Sequence, residues 1–359
     1  MFITFGLCGS DTPEMIAKYA ELGAKEFFAG FVPRAWLEKY GWEVCPNRRP
    51  MGSSYNYMQI ENLAEARQAA KEAGCRFNLA INAHDNGYDR LKDLRVLVDT
   101  VEKLEPDGYI VADPALMFSL KSWGINRALH LSTGAGCFNS LAVRFYCRHF
   151  NIQRVVIPRK VTLREVRTMV NSLKDLKIEF EMMIIGYRCH FNDENCHSIH
   201  SGARCNLCGD TINGHLQVSK RFPDNWKDVA QAMFDDPYGQ LAEGSALDEF
   251  RKTMNQEPLP PAPPISDIRH FEDGMDGLLA RAIYYHCGLC AIKELRDIGV
   301  HALKVPLRGI DTFKMQSIST VYDVMTAENP TPEYCRKLVN SPSFCADPQN
   351  CYYHVPEAE

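Results

Sequence analysis

The repeating unit of this chain is clearest in residues 128–166, ALHLSTGAGCFNSLAVRFYCRHFNIQRVVIPRKVTLREV. Two short runs of β-forming residues, Ala128–Ser132 and Arg154–Pro158, flank a stretch with the apolar spacing of an amphipathic helix. A second helix is predicted to begin directly after them, because Thr162 and Glu165 have the spacing of a capping box. This alternation is typical of βα units around a parallel sheet.

The same alternation continues in both directions along the chain. Seven strands are predicted before residue 185, and an eighth follows the helical stretch Ala291–Arg296. The predicted strands are Ile3–Cys8, Glu26–Gly30, Arg76–Asn82, Gly108–Asp113, Ala128–Ser132, Arg154–Pro158, Glu179–Ile185 and His301–Leu307. Eight βα units predict an α/β fold, a TIM-type (β/α)8 barrel that is irregular because a cysteine-bearing insertion separates strands 7 and 8.

This insertion divides the chain into four predicted regions. Residues 1–185 hold the first seven βα units, and residues 186–275 hold the cysteines and then the proline-rich run EPLPPAPPISD, a stiff surface spacer. Residues 276–330 supply the closing helix, strand 8 and the last helix. Residues 331–359 form a polar C-terminal tail, to which the sequence gives no reason to assign chemistry.

Composition restricts the class of protein. Hydrophobic residues make up 45% and charged residues 24% of the 359 residues, and no stretch approaches the roughly 18 apolar residues of a membrane helix. The N-terminus, MFITFGLCGSD, lacks the pattern of a secretory leader, so a cytoplasmic location is expected. A formal net charge of −5 argues against nucleic acid as a partner. In a reducing compartment, 14 cysteines suggest metal binding or redox chemistry.

Four cysteines fall within the twenty residues 189–208, namely Cys189, Cys196, Cys205 and Cys208. The last two form a CxxC turn, in which two thiolates can reach one metal while backbone N–H groups point at the sulfurs. Zinc and iron–sulfur clusters both accept four thiolates, so spacing alone leaves the metal open. A second CxxC, Cys287 and Cys290, could contribute to the same site or form another.

Polar residues at the predicted strand ends are candidates for catalysis, because TIM barrels build their active sites where strands pass into βα loops. These candidates are Asn82, Asp113, His130, Ser132, Arg159, Cys189 and Arg308.

Several motifs resemble the collagenase-like peptidases of unknown catalytic type. The run Glu181–Cys189 with Cys196 after it is similar to that family's signature, and Leu129–Val166 and Glu294–Val305 are similar to its central and closing segments. The resemblance implies a [4Fe–4S] cluster, since several members are cluster proteins for oxygen-independent hydroxylation of ubiquinone precursors, 23S rRNA or tRNA. It also implies prephenate as an oxygen donor.

Within the family, the chain looks most like the UbiV/UbiU group, whose two members form a heterodimer. The segments Glu43–Arg49 and Leu307–Phe313 carry this likeness. Carried over residue by residue, they imply that Cys45, Cys196, Cys205 and Cys208 bind the cluster. A rival set consists of Cys189, Cys196, Cys205 and Cys287, because Cys189 and Cys287 match ligands of related members.

The resemblance leads to a functional expectation: a cluster-dependent, oxygen-independent hydroxylase of a small aromatic or carboxylate substrate, acting alone or with a second family member. The expected catalytic residues are His130, Ser132, Arg159 and Arg308, and either arginine suits bidentate binding of a carboxylate such as those of prephenate. Alternatives are a non-catalytic cluster-bearing subunit, RNA hydroxylation, and a peptidase. The last has little support, since the chain shows no Ser-His-Asp set and no HExxH helix.

Overall fold

The computed structural model describes residues 1–41, 44–48, 55–84, 86–186, 193–194, 244, 286–308, 314–346 and 350–353. Cys189, Cys196, Cys205 and Cys208 lie outside the described residues, as does most of the predicted insertion 186–275. The chain divides into two compact units, Met1–Ser201 with Glu272–Glu359 and Gly202–Phe271. All of the described helices and strands belong to the first unit.

Eight parallel strands close into a barrel, which confirms the predicted fold class. They are β1 (Phe2–Gly6), β2 (Ala24–Ala29), β3 (Arg76–Ile81), β4 (Gly108–Val111), β5 (Ala128–Leu131), β6 (Ile152–Val156), β7 (Glu179–Met183) and β10 (Ala302–Val305). Each neighbour in sequence is a neighbour in the barrel, and β10 lies between β7 and β1. All eight predicted strands are present, and the interruption falls between the seventh and eighth barrel strands as expected.

Helices follow the strands and cover the outside of the barrel. They are α1 (Pro13–Glu21), α2 (Arg34–Tyr40), α3 (Ile60–Glu72), α4 (Leu91–Glu102), α5 (Pro114–Ser122), α6 (Ser140–His149), α7 (Leu163–Ser172), α8 (Ile292–Ile298), α9 (Lys314–Thr326), α10 (Pro332–Val339) and α11 (Pro342–Ala346). The predicted capping box is present at α7, where Thr162 caps the helix and Glu165 bonds back to the Thr162 N–H over 2.8 Å. Within the part of the chain that is described, no helix is long and apolar enough to cross a membrane.

Between β7 and β10 the chain adds a small antiparallel ribbon. Its strands are β8 (Ile185–Gly186) and β9 (His286–Cys287), which form a sheet separate from the barrel. The C-terminal segment packs onto this ribbon, because Tyr352 donates its N–H to the Cys287 carbonyl and the Tyr353 hydroxyl donates to the Met183 carbonyl, both over 2.8 Å. The tail that looked polar in sequence is therefore part of the folded unit.

The barrel interior contains a charged layer. Arg154 of β6 is fully buried and donates hydrogen bonds to Glu26, Glu179 and Glu181, while Lys304 donates to Glu181 over 2.6 Å. Buried charges are tolerated when each one is paired in this way. This layer is structural, and it supports the apolar residues above it.

The second layer is apolar and lies beneath the open end of the barrel. Phe28, Ala80 and Ile110 form a small buried cluster inside the barrel. The Lys304 ammonium lies 3.9 Å from the centre of the Phe28 ring, and the Arg308 guanidinium lies 5.6 Å from it. Since Arg308 follows β10, the Phe28 ring lies next to both the charged layer and the carboxyl edge of the barrel.

Candidate functional site at the carboxyl edge of the barrel

Asp193 joins two basic residues at the carboxyl edge of the barrel. Arg159, which follows β6, donates from Nε to Asp193 Oδ2 over 2.9 Å and from a second nitrogen to Oδ1. Arg48 lies in the loop after α2, and its guanidinium is 3.9 Å from the same carboxylate and bonds the Asp193 carbonyl. All three side chains are at least nine-tenths buried, so these ion pairs are only weakly screened by solvent. They bind Asp193 to the edge of the barrel.

A hydrogen-bonded chain continues from Arg48 across the opening. Arg48 donates to Nε2 of His84 over 2.6 Å, and its backbone N–H lies 3.5 Å from Asn82 Oδ1. Asn82, at the end of β3, in turn donates to Ser132 Oγ over 3.1 Å. Ser132 follows β5 and caps the turn Thr133–Ala135. Residues that follow α2, β3 and β5 thus form one connected polar group.

Gly30 allows three more polar side chains to meet at this edge. A Cβ at position 30 would lie 2.1 Å from Asn56 Oδ1, 2.6 Å from Asn47 Nδ2 and 3.0 Å from the Arg308 guanidinium. Asn47 and Asn56 are hydrogen-bonded to each other over 2.9 Å. Only glycine leaves room for this arrangement, because any side chain would enter the space that the two amides and Arg308 occupy.

Cys45 lies buried next to this group. Burial raises the pKa of its thiol to about 12, against the opposing effects of the Asn47 N–H, which points at the sulfur, and of the nearby Arg308 cation. A buried thiol with an amide directed at its sulfur is suited to bind a metal, since metal binding supplies the positive charge that a buried thiolate needs. Of the four cysteines in the preferred ligand set, Cys45 is the one that the structure describes.

His130 does not lie at the opening, which corrects the expectation drawn from its strand end. Its side chain points into the charged layer, where one ring nitrogen lies within 4.8 Å of carboxylate oxygens of Glu26 and Glu181. Burial, with Arg154 nearby, lowers the pKa of His130 well below its ordinary value, so the ring is neutral. Alternation along β5 explains the difference, because His130 faces inward one residue before the strand ends.

Glu26, His130 and Glu181 are spaced as metal ligands could be. Both carboxylates are already bound, Glu26 by Arg154 and Glu181 by Arg154 and Lys304. A metal here would add positive charge next to two buried cations. We therefore interpret the triad as part of the structural charged layer.

The other described strand-end candidates differ in their surroundings. Ser132 and Asn82 lie in the connected polar group, and Arg308 lies beside Gly30 and over Phe28. Arg159 reaches the edge, but its guanidinium binds Asp193. Asp113 caps α5 by accepting the Ala115 N–H over 2.8 Å, which is a structural role.

Several site residues were not predicted from the sequence. Asp193, His84, Asn56 and Gly30 are in loops or at a strand end, and their types are common in loops of any function. Of these residues, only Asp193 could have been singled out from the sequence, because it lies three residues before Cys196 in the cysteine-rich run.

Comparisons with known proteins agree with the predicted resemblance. The model of Peptidase family U32 matches residues 43–213, which include Cys45, Asp193 and the cysteines of residues 189–208. The chain is 23% identical over 286 residues to tRNA hydroxylation protein P of Haemophilus influenzae, covering 74% of this chain and 58% of that protein. It is 32% identical over 140 residues to tRNA hydroxylation protein P1 of Bacillus subtilis, covering 38% of this chain and 31% of the relative.

Among solved structures, the chain is similar to the U32 peptidase Mk0906, with a TM-score of 0.39, 14% identity, and coverage of 52% of this chain and 70% of that one. The chain spans less than two thirds of the length of both hydroxylation relatives. The predicted resemblance to the collagenase-like peptidase family is confirmed over residues 43–213.

Proposed function

Because residues 43–213 match Peptidase family U32, we propose that this chain is an iron–sulfur protein of an oxygen-independent hydroxylation system. Two relatives are named for tRNA hydroxylation, which supports a role in hydroxylation over one in peptide cleavage. The proposed cluster is [4Fe–4S], and its proposed ligands are Cys45, Cys196, Cys205 and Cys208.

The observation that carries this proposal is the pairing of Asp193 with Arg48 and Arg159. Arg48 lies three residues after Cys45, and Asp193 lies three residues before Cys196. Three residues span at most about 10 Å of extended chain. The ion pairs place Asp193 beside the Cys45 loop at the edge of the barrel, which supports Cys45 and Cys196 as ligands of one cluster.

The surroundings of Cys45 suit a cluster ligand. Its sulfur receives the Asn47 N–H, and Arg308 offsets part of the negative charge that a thiolate would carry. Hydrogen bonds to ligand sulfurs and nearby charge are the usual means by which a protein stabilises a bound cluster. This loop favours the ligand set with Cys45 over the rival set with Cys189 and Cys287.

When bound, the cluster would supply the redox or Lewis-acid chemistry, and the chain's own residues would bind and orient the substrate. Arg159 holds Asp193, so we assign it a positioning role. Arg308 and Ser132 remain the proposed substrate contacts. Arg308 suits a carboxylate, and its guanidinium lies 5.6 Å from the centre of the buried Phe28 ring.

The proposed substrate is a small aromatic or carboxylate compound, with prephenate as the oxygen donor. A tRNA substrate is the second candidate, because the names of the two relatives favour it, whereas the net charge of −5 does not. A heterodimer with a second family member is also proposed, since a cluster-bearing subunit need not hold a complete active site.

The test is an anaerobic assay of the purified protein with prephenate and either hydroxybenzoic acids or unmodified tRNA. Hydroxylated product is expected from one of the two substrate classes, with the protein alone or with a second family member added. The Cys45→Ser variant should lose the iron and sulfide of this cluster together with the product. Cys75→Ser is the matched control, because the Cys75 sulfur donates to the Ala24 carbonyl and a hydroxyl can do the same. No oxygen transfer under any of these conditions would refute the proposal.

A further inference from the structure

A second group of cysteines lies away from the loop of Cys45. Cys287, Cys290, Cys345 and Cys351 line one cavity of about 710 Å³ beside the β8–β9 ribbon. They come from three separate segments: the ribbon with its following turn, helix α11, and the chain just beyond it. Cys335 is buried on α10, which packs against the turn that holds Cys290. Five of the chain's 14 cysteines therefore meet in one place.

The backbone around these cysteines is arranged as in metal-binding turns. The Leu289 N–H points at the Cys287 sulfur, and Ala291 closes the turn by donating to the Gly288 carbonyl over 3.0 Å. The Asn47 N–H points at the Cys45 sulfur in the same way, two residues after the cysteine. Such amide-to-sulfur bonds stabilise a ligand thiolate in CxxC sites.

The tail is held so that its two cysteines face the ribbon. Cys351 is the backbone partner of Cys287, and the next residue, Tyr352, donates to the Cys287 carbonyl. Asn350 closes the short loop between the tail cysteines by donating its side-chain N–H to the Phe344 carbonyl over 3.0 Å. The positions of these cysteines are thus set by main-chain contacts.

The charge around the cavity suits an anionic centre. Arg336 and Lys337 line the same cavity as the cysteines, so two cationic side chains lie at its edge. Lys337 is paired with Glu333 at the exposed rim over 2.9 Å. Four thiolates around a metal centre carry net negative charge, and Arg336 offsets part of it.

Sulfur spacing favours a cluster over a single metal ion. In a tetrahedral zinc site the sulfurs lie about 3.8 Å apart, since each Zn–S bond is about 2.3 Å. Among the described residues, only the ligand atoms of Glu26, His130 and Glu181 form a group of three within 4.8 Å of one another. No three of the described cysteine sulfurs lie within 4.8 Å of one another, so those around the cavity do not have the close spacing of a tetrahedral zinc site.

We propose that Cys287, Cys290, Cys345 and Cys351 bind an iron–sulfur cluster, with Cys335 buried beside it. This would be a second centre, separate from that of Cys45, and it would attach the C-terminal segment to the ribbon. It does not depend on the proposed hydroxylation activity.

The experiment compares iron and acid-labile sulfide in anaerobically purified full-length protein and three variants. The double variant Cys345→Ala/Cys351→Ala should lose the iron and sulfide of one cluster in equal amounts and keep the rest. Cys45→Ala should lose the other cluster, and Cys75→Ala/Cys147→Ala should lose none. If the cluster of Cys45 does not exist, Cys45→Ala changes nothing, but the tail variant still loses its iron. The two proposals therefore fail separately.

A second measurement uses the unaltered protein, in case the tail variant fails to fold. Under anaerobic conditions, Cys345 and Cys351 should resist alkylation until a chelator removes the iron, whereas the half-exposed Cys147 should react from the start. Mass spectrometry of the peptides gives the extent of modification. Full iron and sulfide in a folded tail variant, alkylation of the tail cysteines before chelation, or zinc without sulfide at this site would each overturn the proposal.

Discussion

Replacing Asp193 by asparagine removes a negative charge from between two buried arginines while keeping the shape of the side chain. The exposed fractions are 5% for Asp193 and about a tenth or less for Arg48 and Arg159. The amide cannot accept the paired hydrogen bonds of Arg159 as the carboxylate does. Two cations would then lie close together with little solvent to separate them.

The expected loss of stability in Asp193→Asn follows from the burial of its ion pairs. Removing one partner of a buried ion pair costs about 3–5 kcal/mol, which is a change of about 150- to 5,000-fold in an equilibrium constant. Because Asp193 is bound to the barrel through these two arginines, we expect this free energy to appear first as loss of those contacts. The barrel core, which Asp193 does not contribute to, should keep its stability.

The matched control is Asp175→Asn. Arg144 donates to both carboxylate oxygens of Asp175 over 2.7 Å, so the chemistry of the pair resembles that of Arg159 and Asp193. The Asp175 side chain is 58% exposed, and an exposed pair contributes at most about 1 kcal/mol. The two variants therefore differ in burial and in little else.

Hydrogen exchange followed by mass spectrometry measures the effect. The peptide that contains Asp193 should exchange at least about a hundred times faster in Asp193→Asn, with peptides of the barrel strands unchanged. Iron content should fall in this variant and not in Asp175→Asn. Equal exchange of the Asp193 peptide in both variants would refute the reasoning, because burial would then not determine the strength of these ion pairs.

Two further outcomes test the interior and the site. Burial alone would raise the pKa of Glu181, but Lys304 and Arg154 outweigh it and hold that pKa at about 2. The ionised Glu181 carboxylate should stabilise the fold fully above about pH 4.3 and progressively less as the pH falls toward 2. The urea midpoint of unfolding should therefore drop over that range, and it should drop less steeply in Glu181→Gln. Gly30→Ala should destabilise the protein by about 1–3 kcal/mol and reduce iron content, because its Cβ meets Asn56 at 2.1 Å. Gly87→Ala, where the nearest atom is 3.5 Å away, should change neither the melting temperature nor the iron content.

The two cysteine groups are positioned by different kinds of contact. The loop of Cys45 is placed by side-chain contacts between Arg48, Asp193 and Arg159, whereas the cysteines around Cys287 are placed by main-chain contacts with the tail. Assignment of Cys287 to the second group removes one ligand from the rival set for the first cluster. The iron measurements on the Cys45 and tail variants thus also distinguish between the two ligand sets that the sequence left open.

The barrel could be predicted from the sequence because its signals are local. Each strand is a short run of β-forming residues, and each helix has its own apolar spacing and caps, as at Thr162 and Glu165. Eight such units admit few other arrangements, since parallel strands need a crossover of this kind. The family resemblance likewise rests on contiguous motifs, and it pointed to Cys45 across more than a hundred residues.

Only the tertiary structure decided which polar residues share a site. The inward direction of His130 depends on its position within β5, and the contact between Asp193 and Arg48 joins residues that are 145 positions apart in sequence. The five cysteines around Cys287 are separated by up to 64 positions in sequence, from Cys287 to Cys351, and no local pattern relates the tail to the ribbon. Spacing in sequence reports neighbours along the chain, whereas a site requires neighbours in space.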